Sequence, residues 1–126
     1  MPQGYFAFVL HTHLPYVLAH GRWPHGMDWL SEAAAETYLP LIRILNELVL
    51  EGCKPKLTID ISPVLTEQLA DDSFKTEFET YLVQKIDAAG KDAAEFYKYS
   101  QTNMLENAHF WEKFYKDTLV QFHSID

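Results

Sequence analysis

The segment Tyr5-Phe6-Ala7-Phe8-Val9-Leu10-His11-Thr12-His13-Leu14-Pro15 constrains this chain more than any other. Up to residue 10 it is apolar on both faces. That pattern belongs to a strand of a parallel sheet covered by helices, because a half-solvated strand alternates apolar with polar residues. Successive side chains point to opposite faces, so Tyr5, Ala7, Val9, His11 and His13 share one face, while Phe6, Phe8 and Leu10 share the other. The bulky face suits packing under helices. The other ends in two imidazoles at the strand's C-terminal edge, and Pro15 closes the strand directly behind them. That edge is where α/β barrels build their active sites.

The remaining pattern is consistent with an α/β fold of two parallel strands followed by several helices. Pro55–Ile61 is the second strand, with Leu57, Ile59 and Ile61 on one face and Thr58 and Asp60 on the other. Between the strands, Ser31 reads as the N-cap of a helix running to about Glu51, stopped by Gly52 and kinked or split at Pro40. Leu41, Ile42, Leu45, Leu48 and Val49 form its apolar stripe. Strand, helix and strand at this spacing predict a right-handed parallel βαβ unit. Ser62-Pro63 caps and opens a further helix, with proline at the tolerated first position. From Ser73 onward Phe74, Phe78, Leu82 and Ile86 make one helical stripe, and Met104, Ala108, Trp111, Tyr115, Leu119 and Phe122 make a second, with Gly90 expected between them.

The chain has 126 residues, 48% of them apolar and 14% aromatic, which suits one folded domain and no second. A complete large enzyme barrel typically needs about 200 or more residues, so this length excludes one. A net charge of −8 opposes a polyanionic partner, since nucleic-acid binding rests on clustered Lys and Arg. No polybasic stretch is present for an anionic membrane surface, and no apolar run approaches the ~20 residues that span a bilayer. Met1-Pro2-Gln3-Gly4 lacks the basic opening of a signal peptide, and the lone Cys53 cannot form an internal disulfide. A cytoplasmic protein with a neutral ligand and no cofactor is the expectation.

Two histidines two residues apart on a strand can ligate a metal, donate hydrogen bonds to sugar hydroxyls, or hold a carboxylate in place. The loop that follows crowds His20, Arg22, Trp23, His25 and Trp29 into ten residues between Pro and Gly punctuation, and such a loop is more often functional than idle. Trp23 and Trp29 are either packing aromatics or sugar-stacking platforms, with Trp29 the favoured platform. Asp60 is read as a capping or salt-bridged carboxylate near the next helix. Asp28, Glu32 and Glu36, at fourfold spacing, are read as a solvated helix face.

These residues, in this order, resemble glycoside hydrolase family 57, in particular its branch of α-glucan branching enzymes and amylase-like proteins. The likeness is carried by Tyr5–His13 with Leu14-Pro15-Tyr16-Val17, by Gly21-Arg22-Trp23-Pro24-His25-Gly26 with Trp29-Leu30 and Glu32–Tyr38, and by Thr58–Leu69. It implies the N-terminal part of an incomplete TIM-like (β/α)7 barrel, residues 1–72 forming a strand-loop-helix-strand-helix unit and residues 73–126 a helical segment. It also implies retaining cleavage or transfer of α-1,4-glucan, which needs two carboxyl groups roughly 5–5.5 Å apart. The motifs for that Glu and Asp lie beyond residue 126 in the family's order, so no catalytic residue is assigned here and the chain alone is expected to be inactive. The resemblance carries sugar binding to His11 and His13 and extends it to Trp29.

Two alternatives follow from the histidine pair. One is a metal-dependent hydrolase using His11 and His13 as ligands, as amidohydrolases do. The other is a non-catalytic glucan-binding remnant. Uncovered strand edges also predict self-association and marginal stability.

Overall fold

A computed structural model describes residues 3–125. The residues outside it, 1, 2 and 126, include both ends of the expected 1–126 unit. Its elements run β1 (Val9–Thr12), α1 (Met27–Ala33), a π-helical turn (Ala34–Tyr38), α2 (Leu39–Leu50), β2 (Thr58–Ile61), α3 (Pro63–Ala70), α4 (Asp72–Lys98) and α5 (Thr102–His123). The two strands pair in parallel, with Val9 opposite Thr58, Leu10 opposite Ile59, His11 opposite Asp60 and Thr12 opposite Ile61. The ladder is extended at both ends by Thr58 N–H donating to Phe8 C=O (2.9 Å) and Ser62 N–H to Thr12 C=O (3.1 Å).

The core lies between the helices rather than on the sheet. Phe74, Phe78, Tyr81 and Leu82 of α4 meet Tyr115 of α5, Leu30, Ala34 and Ala35 of the first helical run, and Leu14 and Val17 from the segment after β1. The fourfold spacing of Phe74, Phe78 and Leu82 puts all three on one face of α4, and all three are buried. Of the α5 stripe, Ala108 and Tyr115 are buried and Trp111, Leu119 and Phe122 are half-buried, while Met104 stays exposed.

The structure corrects four expectations. The first strand is shorter than the apolar run and is not buried, since Tyr5 and Phe6 are 96% and 89% exposed and Phe8 and Val9 are also exposed. A run apolar on both faces needs a neighbour on each side and cover above and below; among the described residues β1 pairs only with β2. Ser31 is not a cap: the helix starts four residues earlier at Met27, and Ser31 is buried in its middle with an unpartnered hydroxyl. Hydrogen bonds from Met27 and Asp28 N–H back to the Gly21 and Arg22 carbonyls turn the chain into a helix sooner than a cap residue would.

The α2 stripe is only partly used, with Leu41, Leu45 and Leu48 half-buried but Ile42 and Val49 exposed. Finally, Gly90 does not separate two helices but lies inside α4. The break falls at Ser100, which takes the left-handed conformation (φ 54°), while Ser100 and Gln101 N–H bond back to Tyr97 and Phe96 C=O. This is the helix-ending motif that glycine usually serves, filled here by serine.

Pro40 behaves as its chemistry requires. It enters in the first turn of α2, directly after the π-helical turn that absorbs the register change. Gly52 (φ 83°) ends α2 as expected, with Gly52 and Cys53 N–H bonded to Val49 and Leu48 C=O. The interior position of Gly90 makes Gly90→Ala a stabilising change. A Cβ there would lie 3.8 Å from Glu112 Oε1, an ordinary contact, so removing glycine's backbone freedom should add roughly 0.5–1 kcal/mol. Urea unfolding of the variant checks this; a loss of stability would mean that α4 needs glycine there for some other reason.

Candidate functional site

The parallel register sets the geometry of the histidine pair. Because His11 stands opposite Asp60, their side chains project from adjacent strands on one face, and His11 Nδ1 lies 2.5 Å from Asp60 Oδ2. Two residues on, His13 Nδ1 lies 3.0 Å from Ser62 Oγ. The two rings stack at 6.4 Å between centroids, 20° from parallel; both Nδ1 atoms are held from β2 and the residue directly after it, while the Nε2 atoms have no hydrogen-bond partner among the described residues. Between them Thr12 Oγ1 donates to the Asp60 carbonyl at 2.9 Å. Asp60 is therefore not the cap of α3. That role belongs to Ser62, whose Oγ accepts from Leu65 N–H with Pro63 in the first turn.

Behind the pair, the chain leaves β1 over a buried amide. The Gln68 side chain accepts from Val17 N–H (2.7 Å) and donates to the Pro15 and Val64 carbonyls (3.1 and 3.2 Å). Gln68 is almost fully buried, so α3 clamps the turn that follows His13. Sequence reasoning missed this residue. Its only signal was a polar side chain on the same face of a short helix as Leu65.

The glycine-bounded loop is closed by a close backbone approach. A Cβ on Gly26 would lie 2.1 Å from the Gly21 carbonyl oxygen, so only glycine fits there, and Gly21 itself has φ 71°. Arg22 then reaches Asp28 (2.9 Å) and Gln84 on α4 (2.9 Å), tying the loop to the helical core. Trp29, on the first turn of α1, has His25 as its ring neighbour at 5.5 Å and is 39% exposed, against 79% for Trp23. Trp29 also borders a small open pocket with Glu32, Glu36 and Thr37. No hydrogen bond or ring contact joins Trp29 to His11 or His13 among the described residues.

The acidic row running from α1 into the π-helical turn is not a uniformly solvated face. Asp28 pairs with Arg22, and Glu36 accepts a hydrogen bond from the Tyr115 hydroxyl at 2.9 Å. Burial, and then the carboxylates of Glu36, Glu32 and Asp28, push the Tyr81 hydroxyl well above the ordinary phenol range. Burial and the bond to Glu36 do the same for Tyr115. Both phenols stay protonated at neutral pH, and Glu36 is anchored to the core through Tyr115. His123 meets Glu79 at 3.4 Å, and Cys53 is exposed. No group of three or more His, Cys, Asp or Glu residues among the described residues is placed to hold a metal ion. Nor is any helix long and apolar enough to cross a membrane.

The decisive observation is that the glycosyl hydrolase family 57 profile matches residues 7–125, nearly the whole chain. The chain belongs to that family. Over 90 residues it is 47% identical to the 1,4-α-glucan branching enzyme of Thermococcus kodakarensis, a match covering 71% of this chain and 13% of that enzyme. A crystal structure of the branching enzyme of this family from Pyrococcus horikoshii superposes with a TM-score of 0.91 at 43% identity, over 98% of this chain and 23% of that one. The α-amylase AmyC from Thermotoga maritima superposes with a TM-score of 0.80 at 30% identity, covering 94% of this chain and 22% of that one. The chain thus spans less than a quarter of the length of each of these relatives. Family membership also separates it from the amidohydrolases, the group that the His-x-His pair alone had left open.

Proposed function

We propose that this chain is part of a 1,4-α-glucan branching enzyme and that the C-terminal edge of β1 and β2 forms one wall of its sugar site. The single observation that carries the reading is the superposition of 98% of the chain on the Pyrococcus branching enzyme. A crystal structure of the Thermococcus enzyme in complex with glucose supports a sugar as the ligand. In this reading residues 1–126 are the N-terminal portion of an incomplete TIM-like (β/α)7 barrel. The parallel pairing supports that, as do the apolar side chains of Tyr5, Phe6, Phe8 and Val9, which further strands would cover.

His11 and His13 bind sugar hydroxyls through their free Nε2 edges, and Trp29 offers a partly exposed ring for stacking. The Glu nucleophile and Asp acid/base of the retaining reaction come from other strands. The carboxylates nearest the pair or the loop already have partners here, Asp60 in His11 and Asp28 in Arg22. A neutral glucan is indifferent to the net charge of −8, and a single exposed Cys53 fits a reducing cytoplasm. The exposed strand edges leave room for self-association.

Titration of the chain with a maltooligosaccharide tests the reading. Saturable binding is expected, with His11→Ala and Trp29→Ala each weakening it roughly fivefold to tenfold, the size of one lost hydrogen bond or ring contact. Absence of binding at millimolar sugar would remove the sugar wall. The same preparation should neither branch nor cleave glucan; measurable turnover would place the catalytic pair within these residues.

A further inference from the structure

We propose that Asp60 is a positioning residue of this site, fixing the proton of neutral His11 on Nδ1 so that its Nε2 offers a lone pair to a sugar hydroxyl. The inference rests on the sugar-binding reading only for the identity of the ligand. Its structural basis is the parallel register itself. Asp60 stands opposite His11, and its Oδ2 lies 2.5 Å from Nδ1. A carboxylate can only accept, so Nδ1 must donate. In the neutral ring the other nitrogen is then the acceptor.

His13 is held differently. Its Nδ1 meets Ser62 Oγ at 3.0 Å, and that oxygen already accepts from Leu65 N–H. A serine hydroxyl can serve either tautomer, so unlike Asp60 it imposes none, and His13 keeps the Nε2–H form that free neutral histidine favours, with Nδ1 accepting the serine proton. Asp60 on one ring and a permissive hydroxyl on the other thus give two like residues unlike edges. One accepts from a hydroxyl and the other donates to one, on rings 6.4 Å apart on a single face. Such a pair fits two hydroxyls of one neutral, polyhydroxylated ring, one donating and one accepting. Two identical rings in identical tautomers would not discriminate between those roles.

The test is the nitrogen-15 spectrum of the imidazoles in the isotope-labelled chain at about pH 9, well above the ordinary histidine range. His11 is expected in the Nδ1–H form and His13 in the Nε2–H form, although free neutral histidine favours Nε2–H. Asp60→Ala should return His11 to Nε2–H, and Asp60→Asn should keep Nδ1–H, because the amide oxygen still accepts. Both Asp60 and His11 are more than half exposed, 57% and 66% at the side chain, so these substitutions leave the helical core intact. Finding His11 of the unsubstituted chain in the Nε2–H form overturns the inference, whatever the variants do.

Maltooligosaccharide titration supplies the second readout. Asp60→Ala should weaken binding about fivefold to tenfold and Asp60→Asn less than twofold, a rescue that a merely structural role of the charge would not give. Equal losses in the two variants would overturn the positioning role. Absence of sugar binding in the unsubstituted chain would instead remove the glucan reading and leave the tautomer result standing.

Discussion

Phe78→Ala is expected to lower folding stability by about 4 kcal/mol, the largest effect of any single truncation in this chain. Phe78 is the largest fully buried side chain, at 1% exposure. Its ring stands 5.5 Å from Phe74 and 4.9 Å, edge to face, from Phe122. Truncation therefore removes the transfer energy of a whole ring, leaves a cavity between α4 and α5, and deletes the ring contacts with both neighbours. The variant separates two accounts of where the fold is held together. If the helical core dominates, urea unfolding will show the full loss. If the sheet dominates, the loss will stay below about 2 kcal/mol and the assignment of the core fails. The exposure of Tyr5, Phe6, Phe8 and Val9 argues for the first.

Gln68→Leu is expected to lower stability by roughly 3 kcal/mol and the Tm by about 10 °C or more, although leucine is close to glutamine in size and leaves no cavity. The change removes no apolar contact. It leaves the Val17 N–H and the Pro15 carbonyl without the partner that reaches them from α3. An unpaired buried polar group costs about 1–3 kcal/mol, and two such groups belong to the turn directly after His13. The loss should thus be accompanied by local loosening: the Val17 amide should exchange with solvent far faster than amides of α4. A stable variant with a protected Val17 amide would show that the amide clamp does not hold the turn. Phe78→Ala offers the contrast, since it weakens the global core while leaving the hydrogen bonds of Gln68 in place.

How far the sequence was legible follows from the kind of interaction each residue makes. The two stripes on α4 and α5, the cap at Ser62 and the stop at Gly52 were readable because they are local. Each depends on periodicity or on the conformational freedom of one residue within a few positions. Ser31 and Gly90 misled for the same reason. A serine ahead of an apolar run and a glycine between two stripes look like punctuation, yet tertiary packing placed both inside helices. The true break at Ser100 was invisible, because a serine in the left-handed region carries no sequence signature.

The candidate site divides in the same way. That His11 and His13 share a face follows from strand alternation alone. That Asp60 and Ser62 hold their Nδ1 atoms depends on the register between strands 49 residues apart, which no local pattern specifies. Gln68 and Glu36 show the same limit, since their partners, Val17 and Tyr115, come from distant segments. The sequence by itself determined the family, through the order of its motifs, and the common face of the two imidazoles, through strand alternation. Only the tertiary structure decided which groups stand behind them, because a parallel pair is joined through a crossover whose length leaves the register to packing.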